Sequence, residues 1–195
     1  MWHLRKAISM AGVFCGILLA ATGSRAADIN LQVGDVAPDF RGLDDQGQMW
    51  NSRDHIGQKI LVVYFYPSDF SFCCTRQAER YQDRQCEFAN LDTEVIGISG
   101  DAVEAHRLFK NDQGLNFSLL SDGTGDVARK FGVPLRDGGK AMIVNAGGRP
   151  VIVRRNVTTA RWTFIIGKDG RVLYRETEVS PVKDSQEVLE FLHKM

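Results

Sequence analysis

Residues 60–75 read Ile60-Leu61-Val62-Val63-Tyr64-Phe65-Tyr66-Pro67-Ser68-Asp69-Phe70-Ser71-Phe72-Cys73-Cys74-Thr75, and this order decides the fold. The first seven residues are an unbroken aliphatic and aromatic run, the pattern of a strand buried on both faces in the centre of a sheet. Pro67 ends that strand. From Thr75 onward the pattern turns helical, with Ala78, Tyr81 and Phe88 near one stripe and Arg76, Arg80, Asp83, Arg84 and Glu87 mostly on another. Cys74 therefore stands at or near a helix N-terminus. Unpaired N–H groups and the positive end of the helix dipole favour an anion there, so a thiol is pushed toward its nucleophilic thiolate form. Ser71, one turn earlier, can offer its hydroxyl to the sulfur or to a bound oxygen.

Downstream, strand and helix patterns alternate, which predicts parallel βαβ crossovers. Glu94 to Ser99 reads as a strand. Asp101-Ala102-Val103-Glu104 has the spacing of a capping box opening a helix toward Gly114. Phe117 to Leu120 reads as a short strand, and Gly125 to Phe131, closed by Gly132, as a short helix. Residues 138–160 hold two apolar runs split by Gly147-Gly148, an inserted hairpin. Arg161 to Ile166 and Val172 to Tyr174 form a second hairpin around Gly167-Lys168-Asp169-Gly170, and Asp184 to His193 closes the chain as a helix with Val188, Leu189 and Leu192 inward.

Pro67, Ser71 and Cys74 fill the spacing Pro, three residues, Thr or Ser, two residues, Cys, and here the chain resembles the peroxiredoxin family. Arg161 and the segment through Gly170 are similar to that family's arginine strand. Val33-Gly34-Asp35-Val36-Ala37-Pro38-Asp39-Phe40 is similar to the segment before its first strands. The wording Tyr-Pro-x-Asp-Phe and the Cys-Thr pair look most like the branch of alkyl hydroperoxide reductase C, thiol-specific antioxidant and bacterioferritin comigratory proteins. The resemblance spans residues 31–195 and implies an α/β, thioredoxin-like fold with an N-terminal extension and a hairpin insertion before the arginine strand. It implies reduction of hydrogen peroxide and organic hydroperoxides by Cys74, with Arg161 polarising the peroxide, Ser71 holding the departing oxygen and Pro67 shielding the oxidised sulfur. A thioredoxin-like or other thiol would be the reductant. No metal or organic cofactor is implied, and His3, His55, His106 and His193 are scattered without ligand spacing. Both a monomer and a homodimer occur in such proteins.

In this branch a resolving cysteine commonly lies five positions after the first, and here that position is Glu79. Cys86 is the candidate resolving thiol. Were it on the same helix twelve residues on, a rise of ~1.5 Å per residue would put it ~18 Å away, against the ~4.4–6.8 Å between Cα atoms that a disulfide allows. An intermolecular bridge, an external thiol, or a merely structural Cys86 stay open. Cys73 is expected to be a small apolar residue of the pocket wall, since a bridge to its neighbour Cys74 would be strained.

The 195 residues are 44% hydrophobic and 25% charged at formal net charge zero, enough for one full core and against a nucleic-acid partner. Arg149, Arg154 and Arg155 fall in the inserted hairpin, where a solvated face is expected. Residues 1–26 differ in kind: Arg5 and Lys6 precede an apolar stretch from Ala7 to Ala21, followed by Ser24-Arg25-Ala26, a small-x-small cleavage pattern. They read as a secretory signal peptide, with a catalytic domain over 27–195 that is periplasmic or secreted and off the membrane after cleavage. Cleavage would remove Cys15 and leave three cysteines, an odd number for an oxidising compartment. Two rivals share the fold: a thiol–disulfide oxidoreductase, which needs Cys-x-x-Cys where this chain has Cys-Cys, and an exported redox sensor oxidised only once.

Overall fold

The computed structural model describes residues 30–195, so the expected leader over 1–26 lies outside the described residues. The strand expected from the apolar run is β3, Ile60–Phe65, following an N-terminal hairpin of β1, Arg41–Asp44, and β2, Met49–Asn51. β3 lies between β4, Thr93–Ser99, running parallel to it, and β8, Trp162–Ile166, running antiparallel. The seven-stranded order is β2-β1-β5-β4-β3-β8-β9, with β5 at Ser118–Ser121 and β9 at Val172–Glu176.

The alternation of β3 explains why its sequence shows no polar face. Leu61, Val63 and Phe65 enter one core with Ile96, Ile98, Leu120, Phe131, Phe164 and Ile166. Val62 and Tyr64 enter the opposite core, with Tyr66 just beyond the strand, against Ala78, Tyr81, Phe88, Val188 and Leu189. Buried on both faces, the strand is apolar throughout. Helices α1, Phe72–Asp83, and α5, Asp184–Leu192, bring residues into this second core, and the strand-to-helix turn after Tyr66 lies at its edge.

Both βαβ crossovers are present: β3 reaches β4 through α1 and α2, Gln85–Asn90, and β4 reaches β5 through α3, Val103–Gln113. The short helix α4 covers Asp126–Lys130. The inserted hairpin is longer than its apolar runs, with β6 at Leu135–Ala146 and β7 at Arg149–Thr159 in a sheet of their own. Gly147 and Gly148 both take positive φ, 57° and 77°, as a two-residue type I′ turn requires.

One open condition is resolved and two expectations need correction. Cys86 does not ride the thiol helix, because α1 ends at Asp83 and Arg84, at φ −110° and ψ 10°, separates it from α2. Asp101 caps no helix: Ala102 is the N-cap of α3, without a side-chain bond, and Asp101 instead turns inward. Arg155 is half-buried, with Nε and Nη1 shielded from solvent, rather than on a solvated face.

Candidate active site

The site forms where β3 stops. Pro67 interrupts the ladder, and Phe70 takes φ 57°, a left-handed conformation that costs a non-glycine residue about 1–2 kcal/mol. Surrounding bonds hold that strain. The Asp69 N–H donates to Asp101 Oδ2 at 2.9 Å, and the Asp69 carboxylate takes the Tyr66 hydroxyl at 2.8 Å and lies 2.8 Å from His106 Nδ1. Ser99 Oγ donates to the same Asp101 oxygen at 2.8 Å. The Phe70 ring packs edge-on against Phe109, centroids 5.2 Å apart. A loop fixed from β4 and α3 thus fixes the start of α1.

Burial opposes the charge on His106, but Asp69 and Asp101 beside it outweigh burial and move its pKa up. Burial and the Asp69 charge raise Asp101 to about 6.

Ser71 is the N-cap of α1. Its Oγ accepts from the Cys74 N–H at 3.4 Å and donates to the Ser68 carbonyl at 3.2 Å. Cys74 is therefore the third helical residue, inside the first turn where the dipole favours negative charge. In this arrangement the Cys74 N–H is already engaged by Ser71. Cys74 is buried, 2% exposed. Cys73 is exposed, contrary to the expected pocket wall, because one residue along a helix turns the side chain about 100° away. Cys86 is exposed on α2, and all three thiols are free. Glu79, at the position where a resolving cysteine is common, lies 3.9 Å from Arg76.

Arg161 reaches this turn from the residue before β8, the antiparallel neighbour of β3. Trp162 pairs with Phe65, so the register puts Arg161 beside the end of β3. Its Nη2 donates to Cys74 Sγ at 3.1 Å, and its Nη1 donates to Gln77 Oε1. A hydrogen bond from a fixed cation favours the anionic sulfur. Pro67 lines a cavity with Pro134, Arg136, Thr158, Thr159 and Ala160, next in chain to Arg161. Thr159 Oγ1 donates to the Tyr66 carbonyl at 2.8 Å.

The structure thus brings Pro67, Ser71, Cys74 and Arg161 to one end of β3 and leaves Cys86 on a separate helix. Sequence reasoning missed Gln77, the partner of Arg161, although its spacing of three from Cys74 on one helix face was the available signal. It also missed Asp184, Tyr81 and Thr163, which meet behind Gln77, and the Asp69–His106 pair.

Known proteins carry the same architecture. The sequence profile of the AhpC/TSA family matches residues 33–175. Peroxiredoxin Bcp of Bacillus subtilis is 32% identical over 167 residues, covering 86% of this chain and 98% of the relative. The chloroplastic 2-Cys peroxiredoxin BAS1 of Spinacia oleracea is 36% identical over 132 residues, 63% of this chain and 49% of the relative, so this chain spans about half its length. Among solved structures, peroxidoxin BcpB of Mycobacterium tuberculosis superposes with a TM-score of 0.71 at 27% identity, covering 85% of this chain and 99% of that one. The Xanthomonas campestris bacterioferritin comigratory protein, studied for its alkyl peroxide reduction activity, gives 0.66 at 27% identity, covering 84% and 96%. With a cysteine at the start of α1, an arginine bonded to its sulfur and this coverage in sequence and structure, the chain belongs to the AhpC/TSA family of peroxiredoxins.

Proposed function

We propose that this protein is a thiol-dependent peroxidase that reduces hydrogen peroxide and organic hydroperoxides through Cys74. The observation that carries the reading is the 3.1 Å bond from Arg161 Nη2 to Cys74 Sγ. One guanidinium there serves both the thiolate and a peroxide oxygen approaching it.

The reaction begins with Cys74 as thiolate. Its sulfur attacks one peroxide oxygen, an S–O bond forms and the O–O bond breaks. The sulfur loses two electrons to the peroxide, and the departing alkoxide or hydroxide takes a proton to leave as alcohol or water. Arg161 offsets the charge developing on the oxygens, an electrostatic contribution that counts most where water is excluded. Ser71 shares in this by turning its hydroxyl hydrogen from the Ser68 carbonyl toward the departing oxygen. Pro67 keeps water from the oxidised sulfur. The sulfenic acid then condenses with a reductant thiol, releasing water, and a second thiol frees Cys74 from the mixed disulfide. A thioredoxin-like protein or another external thiol fills this role, and the burial of Cys74 against the exposure of Cys86 on a separate helix favours it over an internal bridge.

The basic start, apolar stretch and Ser24-Arg25-Ala26 support export to a periplasm or beyond, with the mature enzyme acting alone or as a homodimer. Among the described residues no helix is long and apolar enough to cross a membrane.

The test is hydrogen peroxide consumption with excess dithiothreitol, comparing wild type with Cys74→Ser. Sustained turnover lost in Cys74→Ser supports the reading. Consumption of one equivalent per protein, after which the reaction stops, contradicts it and favours a sensor.

A further inference from the structure

Asp184 opens α5, 107 residues from its partner Gln77 in the sequence, yet it is fully buried behind the thiol helix. Three donors converge on its Oδ2: Gln77 Nε2 at 2.6 Å, the Tyr81 hydroxyl at 2.8 Å and Thr163 Oγ1 at 2.9 Å. These come from α1 and β8, and all four residues are shut from solvent. The mechanism above uses none of the last three contacts.

A glutamine amide has one shape and two opposite ends, an acceptor oxygen and a donor nitrogen. Nothing in Gln77 itself decides which end faces Arg161. An ionised carboxylate only accepts, so Asp184 takes the Nε2 end and leaves Oε1 toward the guanidinium, which only donates. With the amide reversed, Nε2 would face Arg161 donor to donor, and the guanidinium would lose the anchor that aims its other nitrogen at the sulfur. We propose that Asp184 is a positioning residue of the peroxide site, acting through the orientation of Gln77 to keep Arg161 on Cys74.

The remaining titratable groups around it are Glu187 on its own helix, Tyr81 on α1, Tyr64 on β3 and Tyr174 on β9, with Cys74 and Arg161 beyond Gln77. Burial raises Asp184 to about 6, against the pull of the bonds from Tyr81, Gln77 and Thr163, so it is ionised at neutral pH. The proposal rests on the peroxidase reading only for its effect on turnover. The aim of Arg161 is a property of the resting protein and is measured without peroxide.

The experiment uses the full chain carrying Cys15→Ser, Cys73→Ser and Cys86→Ser, so that iodoacetamide reports Cys74 alone, with folding checked by circular dichroism. Asp184→Asn offers Gln77 a donor and lets the amide reverse. Gln77→Glu combined with Asp184→Asn restores an acceptor toward Arg161 and a donor–acceptor pair behind it. Asp184→Asn is expected to slow Cys74 alkylation near neutral pH about tenfold and to move the midpoint of its pH profile up by about one unit, and the double variant to recover most of the loss. Equal alkylation profiles for the single and double variants, whether both normal or both impaired, overturn the proposal. Nuclear Overhauser contacts of the Gln77 amide protons in the unmutated protein test it without a substitution. Contacts to Thr163 and Tyr81 support the assignment, and contacts to the Arg161 guanidinium overturn it.

Discussion

Arg161 Nη2 donates to Cys74 Sγ at 3.1 Å while Nη1 of the same guanidinium donates to Gln77 Oε1. The planar fork makes this possible, since a single ammonium cannot present two fixed donors along diverging directions. Arg161→Lys is therefore expected to keep a charge but lose the geometry, lowering the rate of Cys74 oxidation at least tenfold. Arg161→Met should lower it by about 10² to 10³, the range for losing one pre-aimed electrostatic donor. Stopped-flow oxidation by hydrogen peroxide reads both. A lysine variant as fast as wild type would contradict the role of the fork.

Ser71 does structural work whatever it does for the peroxide, because its Oγ caps the Cys74 N–H. Ser71→Ala should cost about 1 kcal/mol, which for a chain of this size lowers Tm by roughly 2–4 °C, and should also slow turnover. Ser71→Thr keeps the capping oxygen and should keep both. Calorimetry alongside a peroxidase assay separates the two contributions, and a Ser71→Ala protein of unchanged Tm would contradict the cap.

The three thiols among the described residues differ in access. Cys73 and Cys86 are exposed and Cys74 is 2% exposed. In a Cys15→Ser protein a bulky maleimide should label two thiols quickly and the third only on unfolding, counted by intact mass. Cys86→Ser should retain turnover with dithiothreitol. Its loss would make Cys86 the resolving thiol and require α1 to unwind or a second chain to supply it.

Two buried groups with raised pKa values both contribute stability that is lost as pH rises, over successive ranges. A histidine whose folded pKa is raised, as for His106, stabilises the fold below its unfolded value of ~6.5, and that contribution is lost as pH rises through the higher folded value. The stability gap between wild type and His106→Gln in urea should thus be widest below about pH 6.5 and narrow on the alkaline side. Asp184 is a carboxylate raised to about 6, so the native state holds its proton longer than the unfolded chain does. Its contribution falls as pH rises from ~4 to ~6, by about 3 kcal/mol. The difference between wild type and Asp184→Asn should fall across that window and stay flat above it. Gaps independent of pH would contradict the burial of these two side chains.

The fold was legible because β3 and Tyr66 after it carry their environment in their own residues: seven apolar positions in a row, then proline. The site was legible where it is local or opens a strand, as at Pro67, Ser71, Cys74 and Arg161. What was hidden depends on distant meetings. Gln77 and Asp184 lie 107 residues apart, and His106 is 37 from Asp69, so no spacing announces either pair. The break at Arg84 was equally silent, because Phe72 to Asn90 contains no glycine or proline to stop a helix. Asp101 looked like a cap because the Asp-x-x-Glu spacing is right, but the Asp69 N–H and Ser99 hydroxyl bind its carboxylate instead.

The central claim is that Cys74, held by Arg161, turns over peroxide. The most direct measurement is steady-state hydrogen peroxide consumption with excess dithiothreitol by wild type, Cys74→Ser and Arg161→Met. Many turnovers by wild type, none by Cys74→Ser and a rate reduced about 10² to 10³ in Arg161→Met are the expected result. A Cys74→Ser protein that still consumes peroxide, or a wild type that stops after one equivalent, would contradict it.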